Sequence, residues 1–171
     1  MQSTCRRLDP MQAETDAPPP RRRRWLIVAL VLGAPLVVLG LQVDDWSRDL
    51  TTNVAETASG HGDARLLPLR VERSLEEVGP VLREVAAAQP AFRFAGEEDG
   101  RLHFERTSAL FGFVDDVWVW AEPAGDGCLI QAKAQSRVGK GDLGQNPRTL
   151  GALLRALEVE FGDDAQPLKS E

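Results

Sequence analysis

The fold is decided by residues 102–148, which read LHFERTSALFGFVDDVWVWAEPAGDGCLIQAKAQSRVGKGDLGQNPR. Apolar and polar residues alternate over Val114–Ala121 and again over Cys128–Ser136, and a glycine-rich turn joins the two runs. This alternation is typical of strands that bury one face, so the stretch predicts a β-hairpin. A glycine-rich loop and the pair Asn146-Pro147 follow, and they predict a helix with Asn146 as its cap.

Similar patterns on both sides of the hairpin extend the predicted domain to residues 66–162. They predict a strand at 66–71, a helix opened by a capping box at 74–77, and two strands near residues 92–94 and 102–106. The order is then β-α-β-β-β-β-α, in which sequential strands with short turns favour an antiparallel meander. We therefore expect an α+β fold, a single antiparallel sheet with two helices on one face.

An apolar run without charges precedes this domain at residues 25–43. A helix of that length spans roughly 28 Å, which is close to the hydrocarbon thickness of a bilayer. Gly33 and Pro35 are tolerated better in membrane spans than in soluble helices. The run therefore predicts one N-terminal transmembrane helix. A cleaved signal peptide is disfavoured because Leu39–Val43 offers no small-x-small cleavage site.

Charge predicts the orientation and the compartment. The net charge of −6 divides into about +3 for residues 1–24 and about −9 for the remainder. Arg21–Arg24 before the span and Asp44–Asp45 after it place the N-terminus in the cytoplasm. We thus expect a protein of the bacterial inner membrane, with a disordered tail at 1–24 and a domain on the periplasmic side. The acidic balance of that domain argues against nucleic-acid binding.

Two further segments show no periodicity. Residues 44–65 are predicted to be a tether between membrane and domain, and residues 163–171 a flexible tail. Cys5 and Cys128 lie on opposite sides of the predicted span, so no disulfide between them is expected.

Asp115 and Asp116 are the first candidate functional residues. Adjacent residues of a strand point to opposite faces, so the pair is poorly placed for acid-base chemistry on one substrate. The expected role is structural, with one carboxylate bonded to Arg137 or to loop amides. A metal site that also used Asp142 and Asn146 would have no regular ligand spacing, so neither a metal nor another cofactor is predicted.

The loop at residues 136–146 is the second candidate. Ser136 and Arg137 open it, and Lys140 and backbone amides lie ahead of a predicted helix N-terminus, a typical setting for a bound anion. The loop lacks the residue order of a P-loop. The alternative is a structural loop in which Asp142 accepts amide hydrogens and the glycines take positive φ. The sequence leaves both interpretations open.

The third candidate is the face of the sheet that points away from the helices. If Val117 and Val119 face the helices, alternation turns Trp118, Trp120 and Lys133 to the other side. Two tryptophans beside cations form an amphipathic surface of a kind that isolated domains seldom leave bare. We expect both indoles to be exposed to solvent and to contact a partner or a lipid surface. The alternative is that the tether or the C-terminal tail covers them.

A series of short motifs runs through the quoted stretch. They are Leu102-His103, Thr107-Ser108, Leu110-Phe111, Phe113-Val114-Asp115-Asp116, Ser136-Arg137-Val138-Gly139 and Asp142-Leu143-Gly144-Gln145-Asn146. Together they resemble the bacterial and plastid family catalogued as domain of unknown function 1499, over about residues 66–160. The resemblance implies an envelope-associated or membrane-tethered domain and marks Ser108, Gly139 and Gly144 as motif residues. The chain departs from the family pattern at Lys133-Ala134, where Arg-Ser is usual, and at Pro147, where a basic residue is common.

We therefore expect a membrane-anchored, non-enzymatic domain that binds a protein, a lipid or a small anionic ligand. The alternative is a hydrolase or transferase that uses Asp115, Asp116, Ser136 and Arg137. An enzyme would bring these four side chains together in one concave pocket, whereas a binding domain would disperse them or pair them with one another.

Overall fold

The computed structural model describes residues 25–31, 33–34, 37, 46–108 and 112–168. The chain divides into two compact units, Met1–Leu41 and Gln42–Glu171. The predicted tail at 1–24 and much of the predicted span at 25–43 lie outside the described residues. Within the part of the chain that is described, no helix combines the length and the apolar character needed to cross a membrane.

The second unit is built on one antiparallel sheet of seven strands. Four of its strands follow one another both in sequence and in space, as the predicted meander requires. Their bounds are β3 Phe92–Glu98, β4 Arg101–Thr107, β5 Val114–Ala124 and β6 Gly127–Ser136. Because successive side chains of a strand point to opposite sides, the alternating residues of β5 and β6 create one continuous buried face.

The other edge of β6 carries two short strands. The strand β1 (Val54–Glu56) pairs with the end of β6, and β2 (Leu69–Val71) pairs with its beginning. A short helix, α1 (Trp46–Thr51), precedes β1, and a 3-10 turn at Ala64–Leu66 leads into β2. Residues 46–66 thus belong to the fold, where the sequence predicted a tether. Strands of three residues are too short to produce a readable period.

The C-terminal segment also joins the sheet. After a 3-10 turn at Gly162–Asp164, strand β7 (Ala165–Pro167) pairs with β2, with Pro167 opposite Leu69. Part of the segment predicted to be a flexible tail therefore forms an edge strand, and β2 has a partner on both sides.

Two longer helices cover one face of the sheet. They are α2 (Leu75–Ala87) and α3 (Gln145–Phe161). The predicted capping box is present, since the Ser74 backbone N–H donates to the Glu77 carboxylate at 3.0 Å. Five apolar residues at helical spacing form the buried stripe of α3, namely Leu150, Leu153, Leu154, Leu157 and Phe161. The buried residues of both helices and the inner side chains of β4, β5 and β6 form one hydrophobic cluster.

Candidate functional site

The sheet separates the two adjacent aspartates. Asp115 lies on the helix side with Val117 and is only 4% exposed, whereas Asp116 lies on the open face. Ser136 is opposite Asp115 in the register, so it also lies on the helix side. The four residues of the enzymatic alternative therefore fall into two pairs on opposite faces, Asp115 with Ser136 and Asp116 with Arg137. No single pocket contains them, and a mechanism that needs all four is not supported.

On the open face, Arg137 joins two carboxylates. Its Nε donates to Asp116 Oδ2 at 2.8 Å, and its Nη2 donates to Asp116 Oδ1 and to Glu105 Oε1, both at 2.7 Å. His103 Nε2 lies 2.7 Å from Asp116 Oδ1, and Arg93 pairs with Glu105 from the edge strand. We call Arg93, His103, Glu105, Asp116 and Arg137 the open-face network. Of Asp115 and Asp116, one of which was expected to bond to Arg137, it is Asp116 that accepts its hydrogen bonds.

The network is electrically balanced. The hydrogen bonds from Arg137, and a smaller contribution from His103, lower the pKa of Asp116. A hydrogen bond from Arg137 likewise lowers the pKa of Glu105, and the two carboxylates in turn raise the pKa of Arg137. Two arginines therefore face two ionised carboxylates at neutral pH, so each arginine already has an ionic partner.

The two tryptophans share the open face but differ in how far neighbouring side chains bury them. Trp118 is half-buried and stacks on His103, with ring centroids 5.0 Å apart and planes 10° from parallel. Trp120 is only 7% exposed, because the Arg101 guanidinium lies 4.5 Å over its ring. Its indole N–H donates to Glu122 Oε1 at 2.8 Å. The predicted face is correct for both residues, but the predicted exposure of Trp120 is wrong.

The third residue predicted for this face, Lys133, is directly opposite Trp118 in the register. Its Nζ lies 3.6 Å from Glu56 Oε2 of β1. The segment that was predicted to be a tether therefore supplies a partner for this lysine. The open face therefore presents the rings of Trp118 and Trp120 among charged side chains that are paired with one another.

On the helix side, Asn53 and Asn146 clasp the end of β6. Asn146 Nδ2 donates to the Asn53 carbonyl at 2.8 Å and to Ser136 Oγ at 3.2 Å. Asn53 Nδ2 donates to the carbonyls of Ser136 and Gly139 at 3.1 and 3.0 Å. We call this arrangement the Asn53–Asn146 clasp. Beside it, Arg106 Nη1 lies 3.2 Å from Asp115 Oδ2, which provides the buried aspartate with its counter-charge.

The loop that leads into α3 is stabilised from within. Asp142 accepts the backbone N–H of Gly144 at 2.9 Å and that of Asn146 at 2.8 Å, and burial raises the pKa of Asp142. Gly139 and Gly144 have φ of 95° and 72°, where a side chain would be strained. Asp142 thus already accepts hydrogen bonds from the amides that an anion would need. This favours the structural interpretation of the loop. Asn146 was predicted to cap the helix, but α3 begins at Gln145 and Asn146 is fully buried in its first turn.

Ser108 also has a structural role. Its Oγ accepts the Phe113 N–H at 2.9 Å, and its own N–H donates to the Phe113 carbonyl at 2.8 Å. These bonds close the connection between β4 and β5.

Sequence reasoning did not identify Arg93, Glu105 and Asn53. The strand register contained a signal for one of them, because Glu105 is directly opposite Asp116 in the β4–β5 ladder. Two carboxylates that face each other across a ladder need a cation nearby. No comparable local signal exists for Asn53, whose partners lie 83 to 93 residues further along the chain.

These features define a class of protein: an α+β domain with two helices on one face of an antiparallel sheet and an aromatic, charge-paired network on the other. Residues 43–157 match the family described as "Protein of unknown function (DUF1499)", and the chain belongs to that family. A search of curated proteins gave no match. A search of solved structures gave none either.

Proposed function

We propose that this protein is a single-pass, non-enzymatic domain of the bacterial envelope that binds a protein partner through the open face of its sheet. The observation that carries the proposal is the open-face network around the His103–Trp118 stack, on the side of the sheet that neither α2 nor α3 covers. The domain would lie on the periplasmic side of the inner membrane.

The anchor is inferred from residues 21–45. Four arginines precede the apolar run at 25–43, and two aspartates follow it. The described residues of that run are helical. Their large apolar side chains are exposed, namely Trp25, Leu26, Ile27, Val28, Leu30, Val31 and Val37. Exposed apolar surface of this extent favours a lipid environment.

A protein partner fits the open face better than a small anion does. Arg137 is already engaged by two carboxylates, so a free anion would have to displace both of them. Aromatic and arginine side chains with paired charges around them are typical of protein interfaces. A partner with complementary hydrogen-bonding groups could cover Trp118 without breaking the network.

Site-specific photo-crosslinking in native membranes tests this proposal. A benzophenone amino acid replaces Gln135, exposed on the open side of β6, or Arg155, exposed on the outer surface of α3. We expect a discrete protein adduct from position 135 and none from position 155. Trp118→Ala should abolish the adduct while the domain remains folded. Equal adducts from both positions, or an adduct that persists in Trp118→Ala, would refute the open face as the binding surface.

A further inference from the structure

One end of the sheet brings together segments that are distant in sequence. In the antiparallel ladders, β4 and β6 end where β5 and β1 begin, so Thr107 is paired with Val114 and Gln135 with Val54. The loop after β6 therefore lies beside the start of β5, and the Arg137 N–H donates to the Val114 carbonyl at 3.2 Å. We call this the loop end of the domain.

The helix α1 is fixed to the loop end. The Leu143 N–H donates to the Asp49 carbonyl at 2.9 Å, and the Ser136 N–H donates to the Asn53 carbonyl at 2.9 Å. The backbones also approach closely, since a Cβ added to Gly141 would lie 2.4 Å from the Leu50 carbonyl carbon. A side chain at 141 would therefore collide with the backbone of α1, so the loop and the helix pack closely at this glycine.

Among the described residues, three large apolar side chains are exposed at the loop end, each from a different segment. Leu50 of α1 and Phe113 before β5 are both 49% exposed, and Val138 after β6 is 62% exposed. Lys140 lies two residues beyond Val138 and is also exposed. Apolar side chains beside a lysine are typical of surfaces that rest in the headgroup region of a bilayer.

The chain itself limits how far this end can lie from the predicted membrane span. The span ends at Val43, and α1 begins at Trp46. From Val43 to Trp46 the chain makes three Cα-to-Cα steps, which extend over about 11 Å at most. A loose tether of 22 residues would have left the domain free to turn, but α1 is part of the fold. Helix α1, which contacts the loop end, therefore begins only three residues after the predicted span in the chain.

We propose that Leu50, Phe113 and Val138 insert into the interfacial region of the membrane, so that the loop end rests on the bilayer. This inference depends on the anchor in the proposed function and adds the surface that contacts the lipid. With the loop end on the bilayer, the open face of the sheet would point parallel to the membrane surface. A neighbouring envelope protein can reach it there.

Fluorescent probes on the full-length chain in lipid nanodiscs of phosphatidylcholine and phosphatidylglycerol test the insertion. The background is Cys5→Ser, because Cys128 is buried and does not compete for the label. The probe site is Val138→Cys, with Phe113→Cys as a second position. The matched control is Val159→Cys, a valine of α3 that is 77% exposed. It lies 14 residues beyond Gln145, or about 21 Å along the helix from the loop end.

We expect lipid-borne nitroxide to quench the probe at 138 or 113 several-fold more strongly than the probe at 159. Aqueous iodide should show the opposite order. If the chain stays in the discs but positions 138 and 159 respond alike, the insertion is wrong and the anchor stands. If alkaline carbonate releases the full-length chain from native membranes, the anchor itself is wrong, and the insertion fails with it.

Discussion

At the scale of single residues, Asp115 and Asp116 show how strand alternation assigns different roles to identical neighbours. Asp115 is buried against Arg106 on the helix side, whereas Asp116 accepts hydrogen bonds from Arg137 on the open face. The carboxylate that faces the core can only be structural. Asp116, which faces out, is bonded to its ionic partners on a surface that another molecule can reach.

The first prediction concerns pH and Arg137→Gln. The folded pKa values of Asp116 and Glu105 lie below their unfolded values, which are about 3.9 and 4.3. Their ionisation therefore adds stability above roughly pH 5, and this contribution is lost as pH falls through the folded pKa values. Without Arg137, the folded pKa values of Asp116 and Glu105 rise back towards their unfolded values. The difference in the free energy of unfolding between wild type and Arg137→Gln should be largest near neutral pH and shrink in acid.

Chemical unfolding of the full-length chain in detergent, repeated across the acidic range, measures this difference. Asp142 has a raised pKa, so its contribution to the free energy of unfolding declines as pH rises. Asp142 is present in both proteins, so this contribution cancels from the difference between them. Lys140→Gln removes a cation from the same loop and serves as the control, with little effect expected at any pH. A difference for Arg137→Gln that does not vary with pH would show that the ionic network is not its source.

At the scale of elements, the Asn53–Asn146 clasp determines where β1, β6 and α3 meet. Asn146 in the first turn of α3 holds the carbonyl of Asn53 just before β1, and the hydroxyl of Ser136 at the end of β6. One buried amide thus connects the end of β6 and the start of α3 to Asn53, which lies 93 residues before Asn146 in the chain. Because Asn146 is fully buried and Ser136 is only 8% exposed, water compensates poorly for the bond to the Ser136 hydroxyl if the amide is lost.

We predict that Asn146→Asp destabilises the domain by on the order of 3 kcal/mol, because it removes both donors and brings a carboxylate against a backbone carbonyl. Amide exchange in β1 should accelerate as well. Urea unfolding and hydrogen exchange measure the two effects. Gln145→Glu is the matched control, since it makes the same amide-to-acid change one residue earlier at a half-buried site. Equal stability losses in the two variants would mean that the clasp contributes nothing specific.

The elements also show which parts of the fold the sequence could predict. The meander and the stripe of α3 were predictable because long periodic runs repeat the same local signal. The short strands β1 and β7 were not, since three residues are held mainly by pairing with a distant strand. Trp120 illustrates the same limit at the candidate site: alternation gives its face, but its cover by Arg101 depends on the β4–β5 register.

At the scale of the whole molecule, the charge distribution is the feature that relates the domain to its proposed location. The first 24 residues carry about +3 and the remainder about −9, and the apolar run lies at the boundary. On insertion scales, an arginine at the centre of a span costs about 3 kcal/mol. Four consecutive arginines should therefore stay on the cytoplasmic side, and the acidic domain should cross.

The last prediction follows from this asymmetry. Alkaline phosphatase fused after Glu171 should be active, because it folds only outside the cytoplasm. Changing Arg21–Arg24 to Asn together with Asp44 and Asp45 to Lys reverses the charge bias, so the phosphatase should lose activity and a cytoplasmic reporter at the same position should gain it. Asp126→Lys with Glu160→Lys adds the same positive charge at exposed sites far from the span, and should leave the orientation unchanged. An active phosphatase in the charge-reversed chain would contradict the orientation that we derive from Arg21–Arg24.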